Sequence, residues 1–248
     1  MDGFDNLCEM NAEIMGHIKR PVCERCRRPQ SACWCPWLPS TRLPIQTHIL
    51  IFQHPYEERR KVRTARILEL ALDEKHIQVV RGRKFNETRY PDLISTLSAQ
   101  DSYVLYPHPE AVNADACKPV YNPSGSTAKS RWLVVLDGTW IQARQMLTGS
   151  SYLLSLPKVC LPPDPSTGEF EPSAFVVRRQ PFPNAVSTVE AVARILDFWE
   201  PHKMGQIRPK NYYRTVLLQP LHRICEVQSA WKQINSGRET KEGEETVS

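Results

Sequence analysis

Trp132-Leu-Val-Val-Leu-Asp137 is an apolar run that stops at an acid, and Gly138-Thr-Trp140-Ile-Gln-Ala-Arg-Gln-Met-Leu147 follows with no linker between them. The first piece has the composition of a buried strand, Asp-Gly is a turn pair, and the second piece repeats its apolar residues at helical spacing. A strand of this kind, fed straight into a helix, belongs in a sheet covered by helices. In open α/β sheets ligands bind outside the carboxyl ends of the strands. That places Asp137, Thr139 and Trp140 on the expected rim.

The rest of the chain repeats the alternation. Apolar strand-like runs fall at 47–53, 77–81, 102–106 and 158–161, with helical patterns at 60–73, 92–97, 187–199, 212–218 and 221–234. Residues 107–130 and 162–171 read as loops, and Pro220 separates the last two helices. The expected architecture is a mostly parallel, Rossmann-like sheet in a domain over 40–234, with an N-terminal extension over 1–20 and a disordered acidic tail over 235–248. A hydrophobic fraction of 41% and a charged fraction of 24% are ordinary for a soluble domain. No apolar run is long enough to cross a bilayer and the N-terminus lacks the apolar core of a signal peptide, so no membrane partner and a cytoplasmic or nuclear location are expected.

Four of the eight cysteines, Cys23, Cys26, Cys33 and Cys35, lie within thirteen residues. Segment 21–39 has too few aliphatic residues to fold unaided, and disulfides are not expected in a chain without secretory targeting. Four thiolates suit a closed tetrahedral zinc site, structural because no coordination position stays open. Cys8, Cys117, Cys160 and Cys225 are scattered and read as inert thiols.

Several motifs stand in a fixed order. The cysteine set is followed by His54-Pro55-x-Glu57, Leu105-Tyr106-Pro107, Asp137-Gly138-Thr139-Trp140 and Ser187-Thr188-x-Glu190-Ala191. Together they resemble the DTW-domain family of tRNA-uridine aminocarboxypropyltransferases over about residues 21–230. Many relatives carry Asn-Thr where this chain has Arg63-Thr64. The resemblance implies a SPOUT-type α/β knot, S-adenosylmethionine as cofactor, and transfer of its 3-amino-3-carboxypropyl group to N3 of a tRNA uridine. It also implies that Tyr106, Pro107, Leu136, Gly138, Thr139, Ser187, Thr188 and Glu190 form the cofactor region.

That chemistry needs a base, because N3 of uracil carries a proton near neutral pH. Asp137 is the candidate, and a turn-forming or helix-capping Asp is the plain alternative. Trp140 is the second candidate catalytic residue, by stacking on the uracil or walling the cofactor pocket; a core tryptophan packed with Ala143 and Leu147 fits its periodicity equally well. Ser187 and Glu190 have capping-box spacing, and a helix start offers N–H donors to an anion. His54, Arg59, Arg60, Lys61 and Arg63 are the candidate RNA-binding set, as cations crowded at a helix start oppose its dipole and point to an anionic partner. Lys203, Arg208, Lys210 and Arg214 form a second basic set. The net charge of +5 is modest, so only such clusters argue for nucleic acid. Two other functions fit the same motifs: a SPOUT-like S-adenosylmethionine-dependent RNA methyltransferase, and a zinc-knuckle RNA-binding protein without catalysis.

Overall fold

A computed structural model describes residues 21–60, 62–117, 130–164, 166–175, 185–200 and 209–244, with side chains of the last helix described as far as Gln233. Six strands, β1 (His48–Gln53), β2 (Ile77–Arg81), β3 (Asp101–Leu105), β4 (Val112–Asn113), β5 (Arg131–Asp137) and β6 (Lys158–Cys160), form one sheet in the order β2-β1-β5-β3-β6-β4. Every neighbouring pair is parallel. The expected mostly parallel sheet is therefore wholly parallel among the described residues.

Parallel sheets are buried on both faces, and the strand residues divide by period two. Ile49, Ile51, Leu133 and Val135 enter one core with α1 (Ala65–Ala71), α5 (Thr188–Trp199), α6 (Tyr212–Leu217) and the first turns of α7 (Gln219–Glu244). Leu50, Phe52, Val134 and Leu136 enter the other core with α2 (Pro91–Ala99), α3 (Trp140–Thr148) and α4 (Ser151–Ser155). β5, though late in sequence, lies between β1 and β3. The chain leaves β1 toward one edge and leaves β5 toward the other, so the crevice at their carboxyl ends is the topological switch point. In that crevice Gln53 and Asp137 are register partners.

The knuckle is docked on the domain and is part of its core. Cys26 and Trp34 are buried in the cluster that holds α5 and α7, and the Arg223 guanidinium of α7 lies 4.8 Å from the centre of the Trp37 ring.

Some expectations change. The helix expected over 60–73 is a 3-10 turn, Pro55–Arg59, followed by an extended Arg60 and then by α1 from Ala65. Pro55 sets the first turn's φ and its missing N–H costs nothing there. Arg59 and Arg60 thus stand a turn before the helix, where its dipole is weak, and the argument that cations oppose it holds only for Arg63, next to the Thr64 cap. β4 and α4 fall where no element was expected; each is short and held by tertiary contacts, β4 by pairing with β6. Pro220 lies in the first turn of α7, where it is tolerated, and α7 runs past Ile234 to Glu244 in place of the expected disordered tail. The extension over 1–20, Cys8, Lys61, Lys203, Arg208 and the 176–184 segment lie outside the described residues.

Candidate active site

β5 delivers Asp137 to the crevice, and Gly138 turns the chain at once into α3. A Cβ on Gly138 would stand 3.1 Å from Gln142 Cβ and 3.4 Å from His54 Cβ, tighter than most such contacts on the α3 side. Thr139 caps α3: its Oγ1 accepts from the Gln142 N–H at 3.2 Å, and Gln142 Oε1 accepts from the Thr139 N–H at 2.8 Å. The cap is therefore Thr139, which frees the Asp137 carboxylate from that duty.

Asp137 is 6% exposed and held from two sides. Gln53 Nε2 donates to Oδ2 at 2.8 Å and Thr188 Oγ1 donates to Oδ1 at 2.8 Å, while the His54 N–H donates to the Asp137 carbonyl at 2.8 Å. Gln53 Oε1 is buried and has no hydrogen-bond partner among the described residues.

Two cavities meet at this point. One, of about 360 Å³, is bounded by Tyr106, Pro107, Leu136, Ala143 and Phe170, with Asn113, Thr188 and Arg194 as polar groups. The other, of about 300 Å³, is bounded by Asp137, Thr139, Ser187, Glu57, Arg60 and Phe175. Gly138, Trp140, Val186 and Thr188 line both. Trp140 is half-buried, its ring centre 6.4 Å from that of Tyr106. It therefore stands at the partition between cavities, whereas Ala143 and Leu147 of the same helix are buried.

Ser187 is the N-cap of α5, and both its N–H and its hydroxyl donate to Glu190 Oε2 at 2.7 Å. Glu190 is wholly buried and also accepts from Ser173 Oγ at 2.8 Å and the Ala174 N–H at 2.6 Å. Its carboxylate ties the 173–175 loop to the start of α5 and does not line either cavity.

The four clustered cysteine sulfurs lie within 4.8 Å of one another, with Cys23–Cys35 and Cys26–Cys33 at 3.7 Å. A tetrahedral ion with metal–sulfur bonds of ~2.3 Å needs sulfurs about 3.8 Å apart, so the four can hold one metal ion. Backbone donors, the Cys26 N–H foremost, pull the Cys23 thiol down to about 6 and favour its thiolate, whereas burial pushes Cys33 and Cys35 up.

The DTW domain family model matches residues 20–229. The chain belongs to the DTW-domain family. It is 35% identical over 230 residues to tRNA-uridine aminocarboxypropyltransferase 2 of Macaca fascicularis, spanning 92% of this chain and 69% of that protein. It is 34% identical over 211 residues to the Drosophila melanogaster protein of the same name, spanning 85% and 76%. To tRNA-uridine aminocarboxypropyltransferase A of Arabidopsis thaliana it is 29% identical over 216 residues, 79% of each chain. No solved structure matches it.

Within this DTW domain the fold gathers most of the residues singled out by sequence. Asp137, Trp140, Gly138, Thr139, Thr188 and Ser187 share the crevice, and Tyr106, Pro107 and Leu136 wall its apolar half. His54 is buried; its Nδ1 accepts from the Tyr56 N–H at 3.3 Å, and burial with the Arg83 charge lowers its pKa. A buried ring serves the turn after β1 and offers little to RNA. Arg60 pairs with Glu57 at 2.6 Å and reaches the Asp137 cavity, and Arg59 is exposed. Arg214 is committed to Asp197 at 2.9 Å and to Glu171, which removes it from the second basic set. Gln53, Asn113, Val186 and Arg194 were not singled out by sequence; none belongs to a motif, and only register and tertiary packing bring them in. No helix among the described residues is long and apolar enough to cross a membrane.

Proposed function

We propose that the chain transfers the 3-amino-3-carboxypropyl group of S-adenosylmethionine to N3 of a tRNA uridine, releasing 5′-methylthioadenosine. The observation that carries this reading is Asp137, a doubly held carboxylate on the wall of a cavity that shares Trp140 and Thr188 with a more apolar one. Relatives named for this activity, at 34–35% identity, support it.

The apolar cavity is large enough for a small ligand and has the usual make-up, mostly apolar walls with a few polar groups. Tyr106, Pro107 and Leu136 would wall S-adenosylmethionine there, which would supply a sulfonium-activated γ-methylene whose bond to sulfur would break with the electron pair leaving on a neutral thioether. The chain's own task is the nucleophile. N3–H of uracil enters from the Asp137 side, and the carboxylate takes its proton as the N3–carbon bond forms. An ionised carboxylate only accepts, and it has about four lone-pair sites. Gln53 and Thr188 fill one on each oxygen, which fixes the group and leaves sites for N3–H. Trp140 offers a ring to the base, an interaction of about 1–3 kcal/mol where base stacking has been measured. Arg59, Arg60 and Arg63 meet RNA phosphates near the entrance. The four cysteines hold a structural zinc, consistent with the sulfur spacing.

The test is incubation of the zinc-loaded protein with unmodified tRNA and S-adenosylmethionine, followed by nucleoside mass spectrometry. An aminocarboxypropyl-uridine is expected. A methylated nucleoside in its place would move the protein to the methyltransferase reading, and no adduct with no cofactor binding to the non-catalytic one.

A further inference from the structure

A third concavity, a groove of about 960 Å³, runs between the knuckle, the segment after β1 and the last helix. Its charge is lopsided: seven of its lining side chains are Arg or Lys and one, Glu58, is acidic, against 32 and 27 in the whole chain. Three of these cations are tied to acids, Arg60 to Glu57 at 2.6 Å, Arg66 to Glu69 at 2.5 Å and Arg81 to Glu58 at 3.0 Å. Arg27, Arg63 and Lys232 have no carboxylate partner among the described residues. Cations gathered this way repel one another unless an anion joins them.

Arg27 carries a further sign. It sits in the turn after Cys26 with left-handed backbone, φ 60°, and its N–H donates to the Cys23 carbonyl at 2.8 Å. Glycine takes that conformation freely and an L-residue does so at a cost. What the position gains from arginine is the exposed guanidinium. On the α7 wall Trp231 is 47% exposed. A flat aromatic face in one groove with cations that have no carboxylate partner among the described residues matches a nucleotide, which has a π-face and a phosphate. The groove also leads somewhere: Arg60 and Val62 line both it and the Asp137 cavity.

We infer that this groove is the track on which tRNA approaches the site, with Arg27 of the knuckle and Lys232 of the last helix on phosphates and Trp231 stacked on an unpaired base. The knuckle is then an RNA-contacting part of the protein as well as a brace for its fold. The inference rests on the proposed function for the identity of the RNA.

The test is fluorescence anisotropy of the zinc-loaded full chain with labelled unmodified tRNA across a salt series, with S-adenosylmethionine binding followed separately by calorimetry. The double variant Arg27→Gln, Lys232→Gln is expected to bind more weakly and to flatten the slope of log affinity against log salt by about 1.4–1.8, two phosphate contacts' worth. Trp231→Ala is expected to weaken binding about tenfold. All three positions are exposed, and unchanged circular dichroism and cofactor affinity confirm an intact fold. Variants that keep the wild-type slope and affinity would overturn the groove while leaving the transferase reading intact. Loss of tRNA binding in a protein that never binds S-adenosylmethionine would keep the groove and remove the transferase. Polyglutamate bound in the groove with no tRNA binding would assign it to an acidic protein and overturn the inference.

Discussion

Gln53 and Asp137 are register partners at the ends of neighbouring parallel strands, and the amide of the first donates to the carboxylate of the second at 2.8 Å. The pairing converts strand register into the orientation of the carboxylate proposed as the base. Asp137→Asn keeps the size of the side chain and removes its capacity to take a proton. It is expected to slow aminocarboxypropyl transfer by about 100- to 10,000-fold, with cofactor affinity largely unchanged. Single-turnover assays with tRNA, beside calorimetry with S-adenosylmethionine, check both halves.

Gln53→Glu would set a second carboxylate against the first. Like charges this close cannot both ionise freely, and the pair would hold a proton to higher pH. The acidic limb of the pH–rate profile is therefore expected to move upward, with activity recovered on raising the pH. A variant with an unshifted profile would show that the Gln53 contact does not govern proton transfer.

Glu190 is expected to act on stability. Its buried carboxylate meets four donors, and Glu190→Gln would turn an N–H₂ toward a backbone N–H on whichever side it takes, Ala174 on one and Ser187 on the other, neither of which can accept. The expected cost is about 2–4 kcal/mol, seen as a lower denaturant midpoint. Unchanged stability with weakened S-adenosylmethionine binding would return Glu190 to the cofactor region that the motif alone implied.

Metal removal should be felt beyond the knuckle. Cys26 and Trp34 are core residues and Trp37 lies under Arg223 of α7. Structural zinc contributes on the order of 10–16 kcal/mol in isolated peptides, so chelation or Cys26→Ser is expected to lower the melting temperature of the whole domain and expose amides of α7 to hydrogen exchange. Native mass spectrometry should count one zinc per chain.

Stability should fall on mild acidification. Burial lowers the pKa of His48 and of His54 from the ordinary 6.5, with the charges of His76 and Arg83 adding to the effect. Between the folded and unfolded values the unfolded chain binds more protons, so stability rises with pH there and is flat above it. It is lost as pH drops from about 6.5 through the folded values. His54→Asn retains a side chain able to cap the turn after β1 and should flatten that dependence in thermal melts.

The strands were legible in the sequence because a parallel sheet buries them on both faces and leaves nearly unbroken apolar runs. Asp137 was legible because it ends the strongest of those runs. The site's second half was legible only through Ser187-Thr188-x-Glu190, and there the motif and the geometry assign different tasks: Thr188 faces Asp137 and both cavities, while Glu190 turns away into a loop anchor. Gln53 looked like the ordinary last residue of a strand; its meaning comes from a neighbour 84 positions away. The basic run at 59–66 was visible as composition, but its partners across the groove, Arg27 and Lys232, come from opposite ends of the chain.

Trp140 and Thr188 each present surface to two cavities at once. A ligand that fixes either side chain from one side sets the shape that a ligand on the other side meets. The free energy of that coupling belongs to the pair of ligands and is the same whichever arrives first. In the proposed reaction, whatever factor S-adenosylmethionine applies to the affinity for the uridine, the uridine must return to S-adenosylmethionine, through one indole and one hydroxyl.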